Sequence, residues 1–91
     1  MKVVRYAVGV RVGFSSPAFA AFIPDLPECT GRGETLEQAV GAARAAAKAR
    51  IAELLNAGRP LPVATDRREL FDRTEYRGCF WEMVELEAGP G

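Results

Sequence analysis

The chain has 91 residues, of which twelve are basic and twelve acidic, and it contains no histidine. This length supports one domain with a single core, and the apolar share of 48% is typical of soluble globular proteins. The balanced charge removes the positive field by which most nucleic-acid-binding proteins attract phosphate, and the missing histidine removes the commonest general base and metal ligand.

The first third of the chain has the pattern of antiparallel strands. From Val4 to Val12 every even position is apolar, which predicts a strand with one buried face. A turn cluster follows at residues 13–17, and Ala18 to Ile23 predicts a second strand that completes a hairpin. Thr30 to Gly33 predicts a short third strand at an edge, weakened by its two glycines.

A long helix follows this predicted sheet. Thr35 and Gln38 fit a capping box, in which Gln38 reaches back to the amide of the cap residue, so we expect the helix to begin at Leu36. It continues through alanines to about Ala57, and Gly58 is a left-handed stop. Residues spaced by three or four predict its buried face: Leu36, Val40, Ala43, Ala47, Ile51 and Leu54.

Another helix face carries two like charges one turn apart, Arg44 and Lys48. The pair is either a solvated surface or a contact with an acidic or phosphate-bearing partner. The pattern leaves both interpretations open.

The last third combines an extended segment, a short helix and a strand. Pro60 and Pro62 keep residues 59–64 extended, and Thr65 or Asp66 is expected to cap a short helix near residues 66–72. Residues 79–87 predict the last strand, with Phe80, Val84 and Leu86 on one face and Trp81 and Met83 on the other. We expect the tail, residues 88–91, to be disordered.

The two apolar residues Trp81 and Met83 need a cover, because the free face of such a strand is usually polar. Either the short helix covers them, or a partner or a second copy does. The element order β-β-β-α-β predicts a single two-layer α+β domain over residues 1–91.

The chain lacks the spacing of a metal or redox motif. Cys29 and Cys79 are fifty residues apart with no ligand pair beside them, so we expect two free thiols in a reducing cytosol. Charged residues near the N-terminus interrupt any signal-peptide run, and charges also interrupt the alanine-rich stretch. A cytoplasmic protein without a membrane segment and without a cofactor is expected.

Acidic residues cluster around the segment IPDLPEC and the start of the helix: Asp25, Glu28, Glu34 and Glu37. A metal-dependent nuclease groups carboxylates in this way, but turn and helix-cap roles explain the same residues. The glycines there lack the register of a phosphate loop, and the serines at 15 and 16 have no base. The residues favour a binding module without catalytic groups.

The combined motifs resemble one family. The segment PDLPxC at residues 24–29, the helix start GETLEQA at residues 33–39 and the closing N-x-G-x-P-x-P at residues 56–62 resemble the N-terminal domain of HicB-like antitoxins. The resemblance extends from about Tyr6 to Trp81. It implies a partial ribonuclease-H-like fold that binds and neutralises a small, basic, HicA-like toxin that cleaves mRNA, and it implies dimers or higher oligomers.

The sequence departs from the family pattern at several points. Glu28 replaces the usual glycine, Ile23 replaces the usual phenylalanine, and residues 14–17 replace an acidic turn. Only four residues follow Glu87, so the DNA-binding segment of many members is not expected, nor is operator binding. No carboxylate lies in the first strand, so ribonuclease activity is not expected either.

The leading hypothesis is therefore an antitoxin that covers the active surface of its toxin. The alternatives are a stand-alone oligomeric module for an unknown ligand and, more remotely, a metal-dependent nuclease. Trp81 and Met83 are expected at an oligomer interface. The expected partner-binding residues are acidic groups and apolar anchors: Phe14, Phe19, Asp25, Glu28, Glu34 and Trp81.

Overall fold

A computed structural model describes residues 2–88 of the chain as one antiparallel sheet with a long helix on one face. The strand order is β3-β2-β1-β4, so β3 and β4 form the edges. The predicted α+β class and element order are confirmed. The elements are β1 (Val3–Val12), β2 (Phe19–Ile23), β3 (Leu26–Gly33), α1 (Leu36–Asn56), α2 (Arg67–Phe71), a 3₁₀ turn (Thr74–Tyr76) and β4 (Phe80–Glu87).

The hydrophobic core lies between the sheet and α1. Tyr6, Val8 and Val10 point from the even positions of β1 into this core, as the alternation predicted. The helix contributes a stripe of small and branched residues, and the predicted face is confirmed at Ala43, Ala47, Ile51 and Leu54. Leu36 and Val40 are only partly buried, while Ala39 is fully buried.

Both ends of α1 are closed by local hydrogen bonds. Thr35 Oγ1 accepts from Gln38 N–H at 3.1 Å, as the capping box requires. The Gln38 side chain, however, accepts from the backbone N–H of Glu34 at 2.9 Å and not from the cap residue, so that detail of the prediction was wrong. At the other end Gly58 adopts a positive φ of 69°, the left-handed stop that was predicted.

Strand β3 begins at Leu26, before the predicted start at Thr30, and its two glycines lie against α1. A Cβ built on Gly31 would lie under 3.0 Å from Ala39 O and Ala43 N, and one on Gly33 would meet Gln38 equally closely. Glycine here permits contact between the helix and sheet backbones. The expectation of a short strand at residues 30–33 was wrong in extent, because the strand also includes residues 26–29.

The opposite face of the sheet is also partly covered. Ala7 and Gly9, at odd positions of β1, are buried, although the alternation predicted one buried face. The segment between the extended loop and β4 covers this face, with Leu70 of α2 fully buried. Asp66 caps α2 by accepting from Arg68 N–H at 2.9 Å.

The expected disordered tail falls mostly outside the described residues. Ala88 is buried, and its N–H donates to Lys2 O at 2.8 Å. Residues 89–91 are not described. The last hydrogen bond of the β1–β4 ladder therefore extends one residue past Glu87.

Candidate functional site

The six predicted partner-binding residues lie in three places. Phe19 pairs with Gly33 at one end of β2 and β3, and Ile23 pairs with Leu26 at the other end. The structure therefore does not bring the six residues into one patch. At the first end lie Phe14, Phe19 and Glu34, at the second lie Asp25 and Glu28, and on the face opposite α1 lies Trp81.

The first end presents an exposed aromatic ring and an exposed carboxylate. Phe14, in the β1–β2 loop, is fully exposed. Glu34 is exposed, and its carboxylate accepts a hydrogen bond from the Ser16 hydroxyl, which joins the β1–β2 loop to the start of α1. Phe19 is half-buried against the core. We call Phe14, Ser16 and Glu34 the loop-end surface.

At the second end, both predicted carboxylates already have partners within the chain. Asp25 is half-buried and accepts from the backbone N–H of Thr65 at 3.0 Å and from the Thr65 hydroxyl. Glu28 lies 3.3 Å from Arg50 Nε, and Arg50 also pairs with Glu53. Asp25 thus fastens the extended loop to the β2–β3 turn.

Trp81 belongs to an aromatic cluster on the face opposite α1. Gly9 stands opposite both Phe22 and Trp81, so these two rings flank a position with no side chain. The ring of Tyr76 stacks on Phe22 at 5.3 Å between centroids and meets Trp81 edge-on at 5.5 Å, while Phe71 lies 6.1 Å from Trp81. Residues of the α2 and 3₁₀ segment therefore cover Trp81.

Met83 behaves differently from Trp81. Its side chain remains 45% exposed on the same face. The chain's own cover therefore stops short of it, and of the two predicted interface residues Met83 is the more accessible. Phe80, on the helix-facing side of β4, is 60% exposed.

Sequence reasoning missed Arg11, which anchors the segment that covers Trp81. Its guanidinium carbon lies 5.1 Å from the Phe22 ring centroid, and its Nη2 donates to Glu75 O at 2.6 Å. Its Nε also donates to Cys79 Sγ at 3.4 Å. The available signal was Gly9 in the middle of a strand, which indicates a close approach by another group.

The comparisons with known proteins identify the fold and the family. Residues 6–90 match the family described as the HicB_like antitoxin of the bacterial toxin-antitoxin system. The chain belongs to the HicB-like antitoxin family. A search of curated protein sequences gives no significant match.

Solved structures of HicB-like antitoxins share this fold. The N-terminal domain of the Burkholderia pseudomallei antitoxin HicB is 23% identical, with a TM-score of 0.80 over 89% of this chain and 95% of that one. A chain from a HicA3 and HicB3 toxin-antitoxin complex is 23% identical, with a TM-score of 0.65 over 96% of this chain and 100% of that one. A chain from a toxin-antitoxin complex of Streptococcus pneumoniae is 16% identical, with a TM-score of 0.75 over 96% of this chain and 71% of that one.

This HicB-like chain also has an open cleft of about 520 Å³. Its walls are mostly apolar, including Leu55 and the exposed Val63. Tyr6 lies beside it and donates its hydroxyl proton to Pro62 O at 2.7 Å; burial, with a smaller contribution from Asp25, raises the pKa of Tyr6. Three cationic residues line the cleft, Lys2, Arg5 and Arg59, and Arg5 forms an ion pair with Glu85 at 2.8 Å.

The remaining chemical groups of the antitoxin domain are few. Both cysteines are free thiols, as predicted, and burial raises the pKa of Cys29. Within residues 2–88, no three Cys, Asp or Glu side chains come close enough together to hold a metal ion. None of the helices in this range is long and apolar enough to cross a membrane.

Proposed function

We propose that this chain neutralises a small, basic, HicA-like toxin that cleaves mRNA, by binding the toxin and covering its active surface. The observation that carries the proposal is the family match over residues 6–90. Solved structures with this fold include chains from complexes described as toxin-antitoxin complexes. An antitoxin of this kind acts by binding in the cytoplasm, where mRNA is cleaved, and needs neither catalytic residues nor a cofactor.

We propose the loop-end surface as the first contact with the toxin. The Phe14 ring is fully exposed, and exposed aromatic rings are frequent anchors at protein interfaces. Glu34 supplies a carboxylate that is bonded to Ser16 of the same loop, and a basic RNA-binding surface is complementary to such a group. An apolar anchor next to an acid suits a basic toxin.

The other four predicted residues contribute in a more restricted way. Phe19 packs against the core and supports the loop that carries Phe14. Asp25 and Glu28 are bound to Thr65 and Arg50, so a toxin would have to share these carboxylates with the chain itself. Trp81 offers only the part of its ring that the aromatic cluster leaves exposed.

The test is co-expression with the product of a small open reading frame adjacent to this gene. We expect that product to stop growth and degrade mRNA when expressed alone, and this chain to restore both. Phe14→Asp combined with Glu34→Arg should weaken the rescue, because the change removes the anchor and reverses the charge. Toxicity that the intact chain leaves unrelieved would count against an antitoxin function.

A matched control separates the surface from the fold. Val63→Asp also places a charge at an exposed apolar residue, 90% exposed, but in the cleft. This variant should rescue growth as well as the original chain. If Val63→Asp does not rescue growth while Phe14→Asp with Glu34→Arg does, the toxin binds the cleft side instead.

The cleft itself favours a second candidate, a stand-alone module that binds an anionic ligand. Its apolar walls and three cationic side chains are suited to an amphipathic anion. A gene with no small neighbour that encodes a basic partner would favour this function. If Val63→Asp no longer neutralises the toxin, the cleft is instead part of the toxin-binding surface.

A further inference from the structure

One wall of the cleft is a loop, residues 59–65, that the chain holds in place at two points. Tyr6 donates its hydroxyl proton to Pro62 O at 2.7 Å, and Thr65 N–H donates to the Asp25 carboxylate at 3.0 Å. The two prolines of the loop further restrict its backbone. The wall is therefore formed in advance, and a ligand would not lose affinity by having to order it.

This loop keeps an apolar side chain in solvent between its two fixed points. Val63 lies between Pro62 and Thr65, and its side chain is 90% exposed. Leu55, in the last turn of α1, lines the same cleft and is 41% exposed. A ligand that covers these side chains gains affinity, because it removes apolar surface from water. Exposed apolar residues in a concave site indicate a ligand-binding groove.

The lining of the cleft disfavours several classes of ligand. Most of its side chains are aliphatic, and its single aromatic residue, Tyr6, is only 1% exposed. The Tyr6 ring therefore offers no face on which a nucleobase could stack. Among the described residues, the lining includes no amide side chain and no hydroxyl besides that of Tyr6, so a sugar would find few hydrogen-bond partners. An aliphatic chain matches these walls best.

Two exposed cationic side chains of the cleft are available to an anionic group. The backbone of Arg59 is fixed, because its N–H donates to a carbonyl of the last turn of α1 at 2.9 Å. The backbone of Lys2 is fixed by the N–H of Ala88, which donates to Lys2 O at 2.8 Å. Within residues 2–88, neither side chain forms an ion pair, whereas Arg5 is paired with Glu85. A carboxylate is complementary to both cations and matches the paired N–H donors of a guanidinium.

We propose that the cleft binds a free aliphatic carboxylate with a single chain, such as a medium-chain fatty acid. The chain lies along Leu55 and Val63, and the carboxylate pairs with Arg59 and Lys2. The cleft volume of about 520 Å³ lies within the range of about 300–1,000 Å³ that is usual for small-molecule sites. This ligand specifies the second function proposed above for the cleft and rests on it, whereas the antitoxin function does not depend on it.

Titration calorimetry of the full chain with decanoate tests the binding. We expect one saturable site with a dissociation constant below about 1 mM. Octanoate should bind about tenfold more weakly and dodecanoate about tenfold more tightly, because each pair of methylene groups buries more apolar surface. Octan-1-ol, which has the chain without the charge, should bind at least about tenfold more weakly than octanoate. No saturable binding of decanoate, or one affinity for all three chain lengths, would overturn the proposal.

Two further probes distinguish a free carboxylate from other anions. Adenosine monophosphate carries its charge on a ring system, so it should not bind measurably. Vesicles of phosphatidylglycerol and phosphatidylcholine present negative charge on a lipid surface, and the chain should stay in the supernatant when they are sedimented. If the nucleotide binds as tightly as decanoate, charge alone is recognised, and if the chain sediments with the vesicles, the cleft binds a lipid surface. Either result contradicts the proposal.

Charge reversal in the cleft should exchange the preferred ligand. Arg59→Glu combined with Lys2→Glu should weaken decanoate binding at least about tenfold and create measurable affinity for decylammonium. Arg32→Glu reverses an exposed cation of β3 outside the cleft and should leave the affinity for decanoate unchanged. If the double variant binds decanoate like the original chain, Arg59 and Lys2 do not hold the carboxylate, and the proposed contact is wrong.

Val63→Asp tests the apolar wall and separates the ligand from the toxin. A carboxylate at this position should weaken decanoate binding at least about tenfold, because it repels the head group of the ligand. The exposed position of Val63 leaves the fold intact, which unchanged emission of Trp81, on the face opposite α1, would verify. Unchanged decanoate affinity in this folded variant would overturn the ligand site. Toxicity that the original chain does not relieve would overturn only the antitoxin function.

Amide chemical shifts, measured by nuclear magnetic resonance, test where the ligand binds. Decanoate should shift the signals of Leu55, Arg59 and Val63, which line the cleft. The signal of Phe14, in the loop at the other end of β1, should stay in place. Saturable shifts at Phe14 with none in the cleft residues would place the ligand elsewhere and overturn the proposed site.

Discussion

Gly31 is the residue at which a single methyl group should cost the most stability. A Cβ there would lie under 3.0 Å from two backbone atoms of α1, Ala39 O and Ala43 N, which cannot move without the helix. We therefore expect Gly31→Ala to lower the free energy of unfolding by about 1–3 kcal/mol or more. Urea denaturation followed by circular dichroism measures the change.

The matched control is a glycine within α1 itself. A Cβ on Gly41 would meet nothing within 4 Å, and alanine is the better helix former. Gly41→Ala should therefore raise the free energy of unfolding by about 0.5–1 kcal/mol. Equal effects at the two glycines would show that close helix approach does not explain Gly31.

Tyr6 should make the fold sensitive to alkaline pH. Burial raises its pKa in the folded chain above the ordinary value of about 10. At a pH between the ordinary pKa and the raised pKa, the unfolded chain loses the phenolic proton of Tyr6 while the folded chain keeps it. The contribution of Tyr6 to the free energy of unfolding is therefore complete below about pH 10 and is lost as pH rises toward the folded pKa.

The Tyr6→Phe variant isolates this effect. At about pH 8 it should be about 1 kcal/mol less stable, because Pro62 O loses its donor. At about pH 10.5 the difference should shrink, since only the tyrosine chain is weakened by ionisation. Cys29, whose pKa is also raised, is present in both proteins and cancels. A difference that is constant with pH would contradict the mechanism.

At the scale of elements, local patterns predicted what local physics determines. The alternation in β1, the Thr35 cap and the Gly58 stop each reflect contacts within a few residues, and the structure confirms these elements. The start of β3 at Leu26 was not predicted, because the prolines at 24 and 27 locally favour the end of a strand, whereas Leu26 pairs with Ile23 only when β2 lies beside it.

The candidate site was harder to predict, because its side chains are bound by residues that are distant in the sequence. Asp25 is an exposed turn residue by sequence, but Thr65, forty positions later, uses both of its carboxylate oxygens. Trp81 requires a cover by sequence, but the identity of that cover depends on Tyr76 and Phe22 meeting across the sheet. Tertiary partners determine which side chains remain available.

The segment containing α2 and the 3₁₀ turn should detach as a unit when its aromatic contact is removed. Tyr76 contacts both Phe22 and Trp81, so Tyr76→Ala should cost about 1–3 kcal/mol and expose Trp81. Trp81 is the only tryptophan, and its emission should shift to longer wavelength. Amide hydrogen exchange should rise over residues 67–79 and stay low in α1.

The control for this prediction is an aromatic residue without contacts. Phe14 is fully exposed, so Phe14→Ala should leave both the Trp81 emission and the exchange pattern unchanged. If Tyr76→Ala instead raises exchange throughout the sheet, the segment is part of one cooperative unit with the core.

At the scale of the whole molecule, a net charge of zero conceals separated surfaces. The cleft is lined by Lys2, Arg59 and the Glu85-paired Arg5, while the loop-end surface offers Phe14 and the Glu34 carboxylate. The β4 edge, with the exposed Phe80 and Met83, lies along the side of the sheet opposite to β3. The cleft, the loop-end surface and the β4 edge therefore occupy separate parts of the molecule.

With Met83 at an oligomer interface, as the sequence predicts, the assembly with toxin should contain two copies of each chain. Native mass spectrometry of the co-purified complex should give a two-to-two species, because the loop-end surface and β4 do not overlap. Met83→Pro should reduce it to one-to-one and still neutralise the toxin, whereas Phe14→Asp with Glu34→Arg should lose the toxin and keep the dimer. If folded Met83→Pro no longer neutralises, β4 is the toxin-binding edge and the assignment of the two surfaces is reversed.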